Sequence, residues 1–281
     1  MSGWREFCGS RSGKIGASQC ILETMSEHTE RFTGRVEDYE RYRTRYPKAV
    51  IDILVERCGL RREHMVADIG AGTGMLAELF LEHGNAVVAV EPNDDMRGAC
   101  EKLASAWPGL IVKKGTAEAT GLEDASVDFI AVGRAFHWFD LERTSKEFPR
   151  ILRPDGWVVL ASHSRVRDDS PQSQEYEAML REHGKDYAEN RERYEISARI
   201  DAFFAGGELF REKITGEQRL TLEELIGQTQ SYSVTPELGH PKYEGMQRAL
   251  REFFARWATD GVVVMKTAAK VVCGRFARQT N

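Results

Sequence analysis

The amino-acid sequence predicts an α/β protein built on a doubly wound, mostly parallel β-sheet. Three observations support this prediction. Short apolar runs alternate with longer segments whose apolar residues recur at helical spacing. A glycine-rich turn at Gly70, Gly72 and Gly74 follows the first well-defined run, and the next run ends at an acid, Glu91. The order of strand, glycine loop, helix, strand and acid is that of a βαβ unit that binds a nucleotide.

The remaining elements follow from the same patterns. Apolar runs predict strands at 65–69, 86–90, 110–113, 127–132, 157–162, 209–218 and 262–276. Helical spacing predicts helices at 48–58, 75–84, 93–106, 141–152, 222–230 and 245–259. The alternation of residues along 262–268 is typical of a strand at the edge of a sheet. Residues from about 165 to 208 are densely charged and predict a helical cap inserted over the cleft.

The glycine loop has the chemistry of a site for a ribose-containing ligand. Glycines allow ligand atoms to approach the backbone, and the helix that follows directs unpaired N–H groups at the loop. Glu91, about 20 residues after the loop begins, suits the two hydroxyls of a ribose. A dinucleotide fingerprint requires a small residue at position 75, where this chain has Met75. Asp68, beside the loop, suits a cationic ligand better than a pyrophosphate.

The stretch Asp-Ile-Gly-Ala-Gly-Thr-Gly at 68–74, with Glu91, resembles the first motifs of the class I S-adenosylmethionine-dependent methyltransferases. Within that family it is similar to the small-molecule group, which includes the type 11-like, ubiquinone–menaquinone and trans-aconitate methyltransferases. The resemblance covers roughly residues 30 to 165. It implies a Rossmann-like, seven-stranded sheet with an antiparallel C-terminal strand. It also implies S-adenosylmethionine as the cofactor and S-adenosylhomocysteine as the product.

The resemblance also implies which residues contact the cofactor. Position 116 carries Thr where the family usually has Asp, so a hydroxyl replaces the carboxylate beside the adenine. The Tyr- and Arg-rich segment that ends at Pro47 is similar to the family segment that closes over the methionine end. The implied cofactor-binding residues are Asp68, Gly70, Ala71, Gly72, Gly74, Glu91, Pro92, Asn93, Met96, Thr116, Ala117, Glu118, Gly133, Arg134, Tyr42 and Arg43. For Met96 a purely structural place in the core is the alternative interpretation.

The acceptor site is expected at the carboxyl ends of the fourth and fifth strands. His137 is the predicted catalytic residue, as a base or as an orienting group. The alternative is that His137 only caps the next helix while Trp138 and Phe139 pack against it. A carboxylate acceptor needs no base, whereas a phenol, amine or carbon acid does, and arginines near the crevice favour an acidic small molecule. The predicted substrate-binding residues are Tyr39, Tyr46, His137, Trp138, His163 and Arg165.

Composition excludes several classes of function. A formal net charge of -5 with interspersed signs argues against a nucleic-acid partner. No apolar run is long enough to span a membrane, and five scattered cysteines without Cys-x-x-Cys spacing predict a cytoplasmic protein without zinc or another bound metal. Residues 1–30 are expected to form a disordered tail before the methyltransferase domain at 31–281. An NAD(P)-dependent oxidoreductase and a catalytically idle S-adenosylmethionine-binding regulator remain as alternatives, and the sequence does not specify the oligomeric state.

Overall fold

A computed structural model describes residues 41–185, 187 and 196–277. The predicted tail at 1–30 and Tyr39 therefore lie outside the described residues. The strands are β1 (Met65–Ile69), β2 (Ala86–Val90), β3 (Leu110–Lys113), β4 (Val127–Gly133), β5 (Leu152–Arg165), β6 (Glu208–Leu220) and β7 (Val263–Arg275). The helices are α1 (Ala49–Cys58), α2 (Met75–His83), α3 (Asp94–Ala104), α4 (Leu141–Ile151), α5 (Pro171–His183), α6 (Ser197–Phe203), α7 (Leu222–Gln230) and α8 (Tyr243–Trp257).

The seven strands form one sheet in the order β3-β2-β1-β4-β5-β7-β6. Strands β1 to β5 pair in parallel, and β7 is antiparallel to both β5 and β6. The predicted fold class is confirmed. Because the strand order reverses beside β1, a crevice opens between the carboxyl ends of β1 and β4, which is where ligands bind in such sheets.

The alternation along 262–268 suited strands at an edge, and the last two strands do form an antiparallel pair at one edge of the sheet. Strand β7 is paired on both sides, and β6 forms the edge. Polar and apolar residues alternate in this stretch because Lys266 and Lys270 reach solvent, whereas the three residues between them are buried. Alternation reports how the two faces of a strand are covered, and it carries no information on whether both edges are paired.

Strand β5 is longer than predicted at both ends. Residues Pro154–Gly156, between the predicted helix at 141–152 and the predicted strand at 157–162, lie within β5, and Asp155 there has a φ of 65°. The pairing with β4 shifts register between Val127 and Phe129, which accommodates the extra residues. Beyond 162, pairing with β7 extends β5 to Arg165, opposite Thr267. The carboxyl end of β5 therefore carries His163 and Arg165 in regular strand.

The described residues contain three apolar cores. One lies where α1 and α2 cover the sheet and includes Leu54 and Phe80. The second is on the side of α4 and α6. The third joins α5, α7 and α8 around Tyr176. The segment predicted as one cap at 165–208 therefore contributes to two cores, since α6 packs in the second and α5 in the third. The assignment of this segment as an acceptor-selecting cap stays a prediction.

A half-buried ion pair on α4 makes a testable contribution to acid stability. Glu147 accepts hydrogen bonds from Arg150 and from the backbone N–H and hydroxyl of Thr120. Hydrogen bonds from Arg150 are the main cause that lowers the pKa of Glu147 from 4.5 to about 2. A carboxyl group whose folded-state pKa is depressed stabilises the protein above its ordinary pKa, and this stabilisation is lost as the pH falls towards the folded value.

We therefore expect Glu147→Gln to be less stable than the wild type above about pH 5, and the difference to shrink between about pH 4.5 and pH 2. Urea unfolding at a series of pH values measures this difference. Glu142→Gln on the same helix is the matched control, because the Glu142 side chain is 86% exposed. A stability difference for Glu147→Gln that does not change with pH would contradict the assignment.

Candidate active site

The glycine loop between β1 and α2 adopts left-handed backbone angles, with φ of 69°, 58° and 87° at Gly70, Gly72 and Gly74. A Cβ at Gly70 would lie 2.7 Å from the Cβ of Ala135, so this glycine allows the loops after β1 and β4 to touch. At Gly72 a Cβ would meet no atom within 4 Å. Gly72 is thus the position at which the loop borders open space, and its backbone is accessible to a ligand.

Glu91 fixes the opposite wall of this space. Its carboxylate accepts a hydrogen bond of 2.8 Å from the backbone N–H of Gly72 and another of 2.8 Å from the backbone N–H of Asn93. Burial raises the pKa of Glu91, and the same two N–H groups oppose that increase. Each carboxylate oxygen can accept more than one hydrogen bond, so capacity for the hydroxyls of a ribose remains.

Asp68 lies within the sheet below the loop and has no exposed surface. Within the described ranges, neither carboxylate oxygen has a partner in normal hydrogen-bonding geometry. Burial raises the pKa of Asp68 to about 7, the nearby backbone N–H of Ala77 opposes this, and the charge of Glu91 adds to it. A buried carboxylate without a counter-charge is costly, and a bound cation above the loop would offset that cost. This orphaned acid fits the cationic cofactor that the resemblance implies.

The residues predicted around the adenine mainly hold their own loops. The Asn93 side chain caps α3 by accepting from the N–H of Met96 at 2.8 Å, and Met96 is buried. Thr116 exchanges backbone hydrogen bonds with Ala119. The Glu118 carboxylate accepts from the N–H of Asp140 at 2.9 Å. Their contacts with adenine stay predictions, as do those of Ala71, Pro92 and Ala117.

Arg134 joins three parts of the site at the end of β4. Its φ of 60° is unusual for a residue with a side chain and is typical of constrained functional positions. The guanidinium donates to the carbonyl of Thr44 at 3.3 Å and to the sulfur of Met75 at 3.1 Å. It also reaches the carbonyl of His163 at 3.5 Å and lies 5.0 Å from the ring centre of Tyr46. Arg134 therefore ties the segment before α1 to the glycine-loop helix and to β5.

In the segment before α1, Tyr42 and Arg43 are the two residues predicted to contact the cofactor. Tyr42 donates to Glu223 on α7, and the Arg43 guanidinium lies against Ser231 and the Tyr232 ring. These contacts do not bring Tyr42 and Arg43 to the glycine loop. Tyr46 approaches the end of β4, because a Cβ at Gly133 would lie 2.8 Å from the Tyr46 hydroxyl. The direction of the Tyr42 side chain is set by its contact with α7, which is far away in sequence.

His137 lies in a short 3₁₀ turn, Phe136–Trp138, after β4. Its ring is 9% exposed and lies 4.6 Å from the Trp138 ring. The alternative that His137 caps α4 is wrong, because the Asp140 side chain accepts from the N–H groups of Glu142 and Arg143. The predicted packing is found at Phe139, whose buried ring stacks edge-on against Phe148.

The two remaining predicted acceptor residues behave differently. The His163 Nδ1 contacts the carbonyl oxygen of Arg45, within the site. Arg165 points into the cap, where it forms an ion pair with Glu177 and lies 4.8 Å from the centre of the Tyr176 ring. The sequence did not identify Glu177 as the partner of Arg165, because the two residues are 12 positions apart in a charged segment and no local motif links them. Its ion pair could be found only from the packed structure.

The described residues contain no cluster of three or more His, Cys, Asp or Glu side chains placed to hold a metal ion. None of the helices in the described ranges has the length and apolar character needed to cross a membrane.

Comparison with known proteins finds similarity to methyltransferases. Residues 67–160 match the family described as "Methyltransferase domain". The uncharacterized methyltransferase Rv3342 of Mycobacterium tuberculosis is 40% identical over 134 residues, which is 48% of this chain and 52% of the relative. The uncharacterized methyltransferase C25B8.09 of Schizosaccharomyces pombe is 28% identical over 222 residues, 79% of this chain and 86% of the relative.

Solved structures agree at the level of the fold. A putative type II methyltransferase from Anaeromyxobacter dehalogenans matches with a TM-score of 0.65 at 23% identity, covering 85% of this chain and 100% of that one. A phosphoethanolamine N-methyltransferase from Haemonchus contortus, solved with S-adenosylhomocysteine, matches with a TM-score of 0.53 at 14% identity. The match covers 90% of this chain and 59% of that one.

Residues 67–160, which hold the glycine loop, match the methyltransferase domain family, and this match and the relatives support a class I S-adenosylmethionine-dependent methyltransferase. The resemblance to class I methyltransferases is confirmed, whereas the small-molecule subgroup stays a prediction. S-adenosylmethionine is the cofactor of this class. The finding favours the methyltransferase over the NAD(P)-dependent oxidoreductase that the βαβ unit alone left open. The chain spans about half the length, 52%, of the first curated relatives that it matches.

Proposed function

We propose that the protein transfers the methyl group of S-adenosylmethionine to a small-molecule acceptor and releases S-adenosylhomocysteine. The observation that carries this proposal is the pairing of Glu91 with the N–H of Gly72 at the one loop glycine that borders open space. This arrangement offers a carboxylate for ribose hydroxyls beside an accessible backbone. The loop, the start of α2 and Glu91 together form a polar cradle for the ligand. Within it, the N–H groups of Gly70, Ala71 and Gly74 bond to backbone carbonyls of the protein itself.

Asp68 gives the cradle its charge preference. A cofactor with an ammonium and a sulfonium group places positive charge near this buried carboxylate, whereas a pyrophosphate would place negative charge there. Binding of a cation would favour the ionised form of Asp68, whose pKa lies at about 7 in the protein alone. Cofactor binding is therefore expected to be coupled to loss of a proton from this site.

The bound cofactor supplies an activated methyl group, and the protein contributes positioning. Methyl transfer from a sulfonium is an in-line displacement, for which holding the two reactants in place can contribute about 7–11 kcal/mol. Arg134, Tyr46 and Gly133 meet at the end of β4. By the general geometry of such sheets this is where an acceptor would face the ligand on the glycine loop.

The acceptor class is the finer part of the proposal. The arginines near the crevice led to the prediction of a small carboxylic acid as acceptor. Arg165 and Arg167 lie close together at the end of β5. Both contact Glu177, Arg167 at 3.2 Å, so one of their two charges is balanced within the cap. The single excess charge supports including small carboxylic acids in an acceptor screen, beside hydroxyl compounds and amines.

Calorimetric titration with S-adenosylmethionine, S-adenosylhomocysteine and NADH tests the cofactor. We expect micromolar binding of the first two and no binding of NADH, because the loop lacks the dinucleotide fingerprint. Binding of NADH alone, or of none of the three, would contradict the proposal. Binding of S-adenosylmethionine without release of S-adenosylhomocysteine for any acceptor class would instead identify a regulator that binds the cofactor without turnover.

A further inference from the structure

His163 lies on the side of the sheet where the glycine-loop helix packs. Ala161 pairs with Gly133 at the end of β4 and belongs to the same core as Tyr46 and Met75. Side chains two residues apart on a strand share a face, so His163 projects on that side one step beyond Ala161. Arg134 links it to the loop helix, since the guanidinium contacts both the His163 carbonyl and the Met75 sulfur.

The protonation pattern of the His163 ring follows from one contact. Nδ1 lies 2.5 Å from the backbone carbonyl oxygen of Arg45. A carbonyl oxygen can only accept a hydrogen bond, so Nδ1 must carry the proton and donate it. In the neutral ring Nε2 then holds the lone pair. Nε2 makes no hydrogen bond within the described parts of the chain, and the side chain is partly exposed.

The surroundings keep this ring neutral. Burial is the main cause that lowers the pKa of His163 below 6.5, Arg134 adds to the decrease, and the Arg45 carbonyl opposes it. Among the described residues, the charged group that acts on the ring is the Arg134 guanidinium, directly after β4; the Arg45 guanidinium pairs with Glu78 on α2. On β7 the residue opposite His163 is Ala269, which is uncharged. At neutral pH the ring can therefore accept a proton.

His137, the residue that the sequence favoured as base, is placed less favourably. Its ring packs against Trp138 with 9% of the residue exposed, and its carbonyl is held by Arg199 on α6. His163 combines a fixed tautomer with a more accessible Nε2 at the carboxyl end of β5.

We propose that His163 is the general base of the methyl transfer and that the acceptor is a hydroxyl compound that retains its proton at neutral pH, of the phenol or enol type. This inference rests on the proposed function. The acceptor oxygen forms a bond to the methyl carbon as the carbon–sulfur bond breaks, and the bonding pair leaves with sulfur as S-adenosylhomocysteine. The hydroxyl proton moves to Nε2, which becomes an imidazolium and later loses that proton to solvent.

His163→Asn separates a base from a structural residue. The Asn side-chain N–H₂ can replace Nδ1–H as donor to the Arg45 carbonyl, but Asn has no group that takes up a proton. We expect turnover of a phenol panel, followed by S-adenosylhomocysteine release, to fall by about 10²–10⁴-fold. The affinity for S-adenosylmethionine should stay within twofold. Because the surroundings lower the pKa of His163, kcat of the wild type should fall only at pH values below the ordinary histidine range, and this dependence should vanish in His163→Asn.

The tautomer is tested without any acceptor. In protein labelled with ¹⁵N-histidine, the resonance lost in His163→Asn should show a protonated Nδ1 and an unprotonated Nε2 at pH 7.5. A proton on Nε2 at that pH would overturn the inference, as would turnover with carboxylic acids only or with none of the phenols. Retained turnover and pH dependence in His163→Asn, with both lost in His137→Asn, would return the role to His137. Failure of the wild type to bind S-adenosylmethionine would instead contradict the proposed function.

Discussion

Glu177→Ala is expected to lower the free energy of unfolding by about 3–5 kcal/mol, the cost of removing one partner from a buried ion pair. Glu177 contacts Arg165 and Arg167 and accepts a hydrogen bond from the Tyr187 hydroxyl. Burial would raise the pKa of Glu177, but Arg165 and the other partners hold it below its ordinary value. Without the carboxylate, the Arg165 guanidinium, whose side chain is 9% exposed, would remain charged inside the cap.

Urea unfolding at pH 7 measures the effect. Glu182→Ala on the same helix is the control, because its side chain is 76% exposed and it is expected to change stability by no more than about 0.5 kcal/mol. Glu177→Gln should lie between the two, since it can still accept from Tyr187. A loss below 1 kcal/mol in Glu177→Ala would mean that solvent reaches this ion pair.

Glu91→Ala is expected to weaken binding of S-adenosylmethionine at least tenfold. The variant loses charge-assisted hydrogen bonds worth about 1.5–3 kcal/mol each and releases the N–H of Gly72 that Glu91 holds at 2.8 Å. Loss of that contact also frees the glycine loop, so an entropic cost of reordering adds to the missing acceptor.

Calorimetry on folded protein measures the change, with a thermal unfolding curve to check that Glu91→Ala remains intact. Asp94→Ala is the control, because this neighbouring acid has a side chain 68% exposed and pairs with Arg97 and Lys114 at the surface. Asp68→Ala should weaken binding to a similar extent as Glu91→Ala. Unchanged affinity in both variants would mean that the cofactor binds elsewhere.

The central unit could be predicted from the sequence because its signals are local. A buried parallel strand is apolar throughout, the loop needs glycines, and the acid ends the next strand, so Gly72 and Glu91 were found without knowledge of the fold. The parallel pairing of β1, β2 and β3 follows from the same pattern, since α2 and α3 lie between these strands and return the chain in one direction.

Features that depend on distant partners could not be predicted. Tyr42 and Tyr46 look equivalent in the sequence, yet Tyr42 contacts Glu223 and Tyr46 approaches Gly133. The contact of Tyr42 with Glu223 depends on α7, which lies in a distant part of the sequence. Arg165 likewise appeared directed at an acceptor until packing placed Glu177 beside it. The charge or amphipathic character of a side chain marks it as a candidate for binding, but it does not specify which neighbour that side chain contacts in the fold.

The interior position of β7 has a consequence for folding during synthesis. The ribosome completes β1 to β5 well before it reaches Val263, so β5 must wait with an unpaired edge while more than a third of the chain is still to be made. Strand β6, whose neighbour in the sheet is β7, has no place to dock until then. The cofactor half of the sheet can form early, but its free edge is vulnerable to association with other chains until β7 arrives. Early binding of S-adenosylmethionine to the nascent half would stabilise it during this interval.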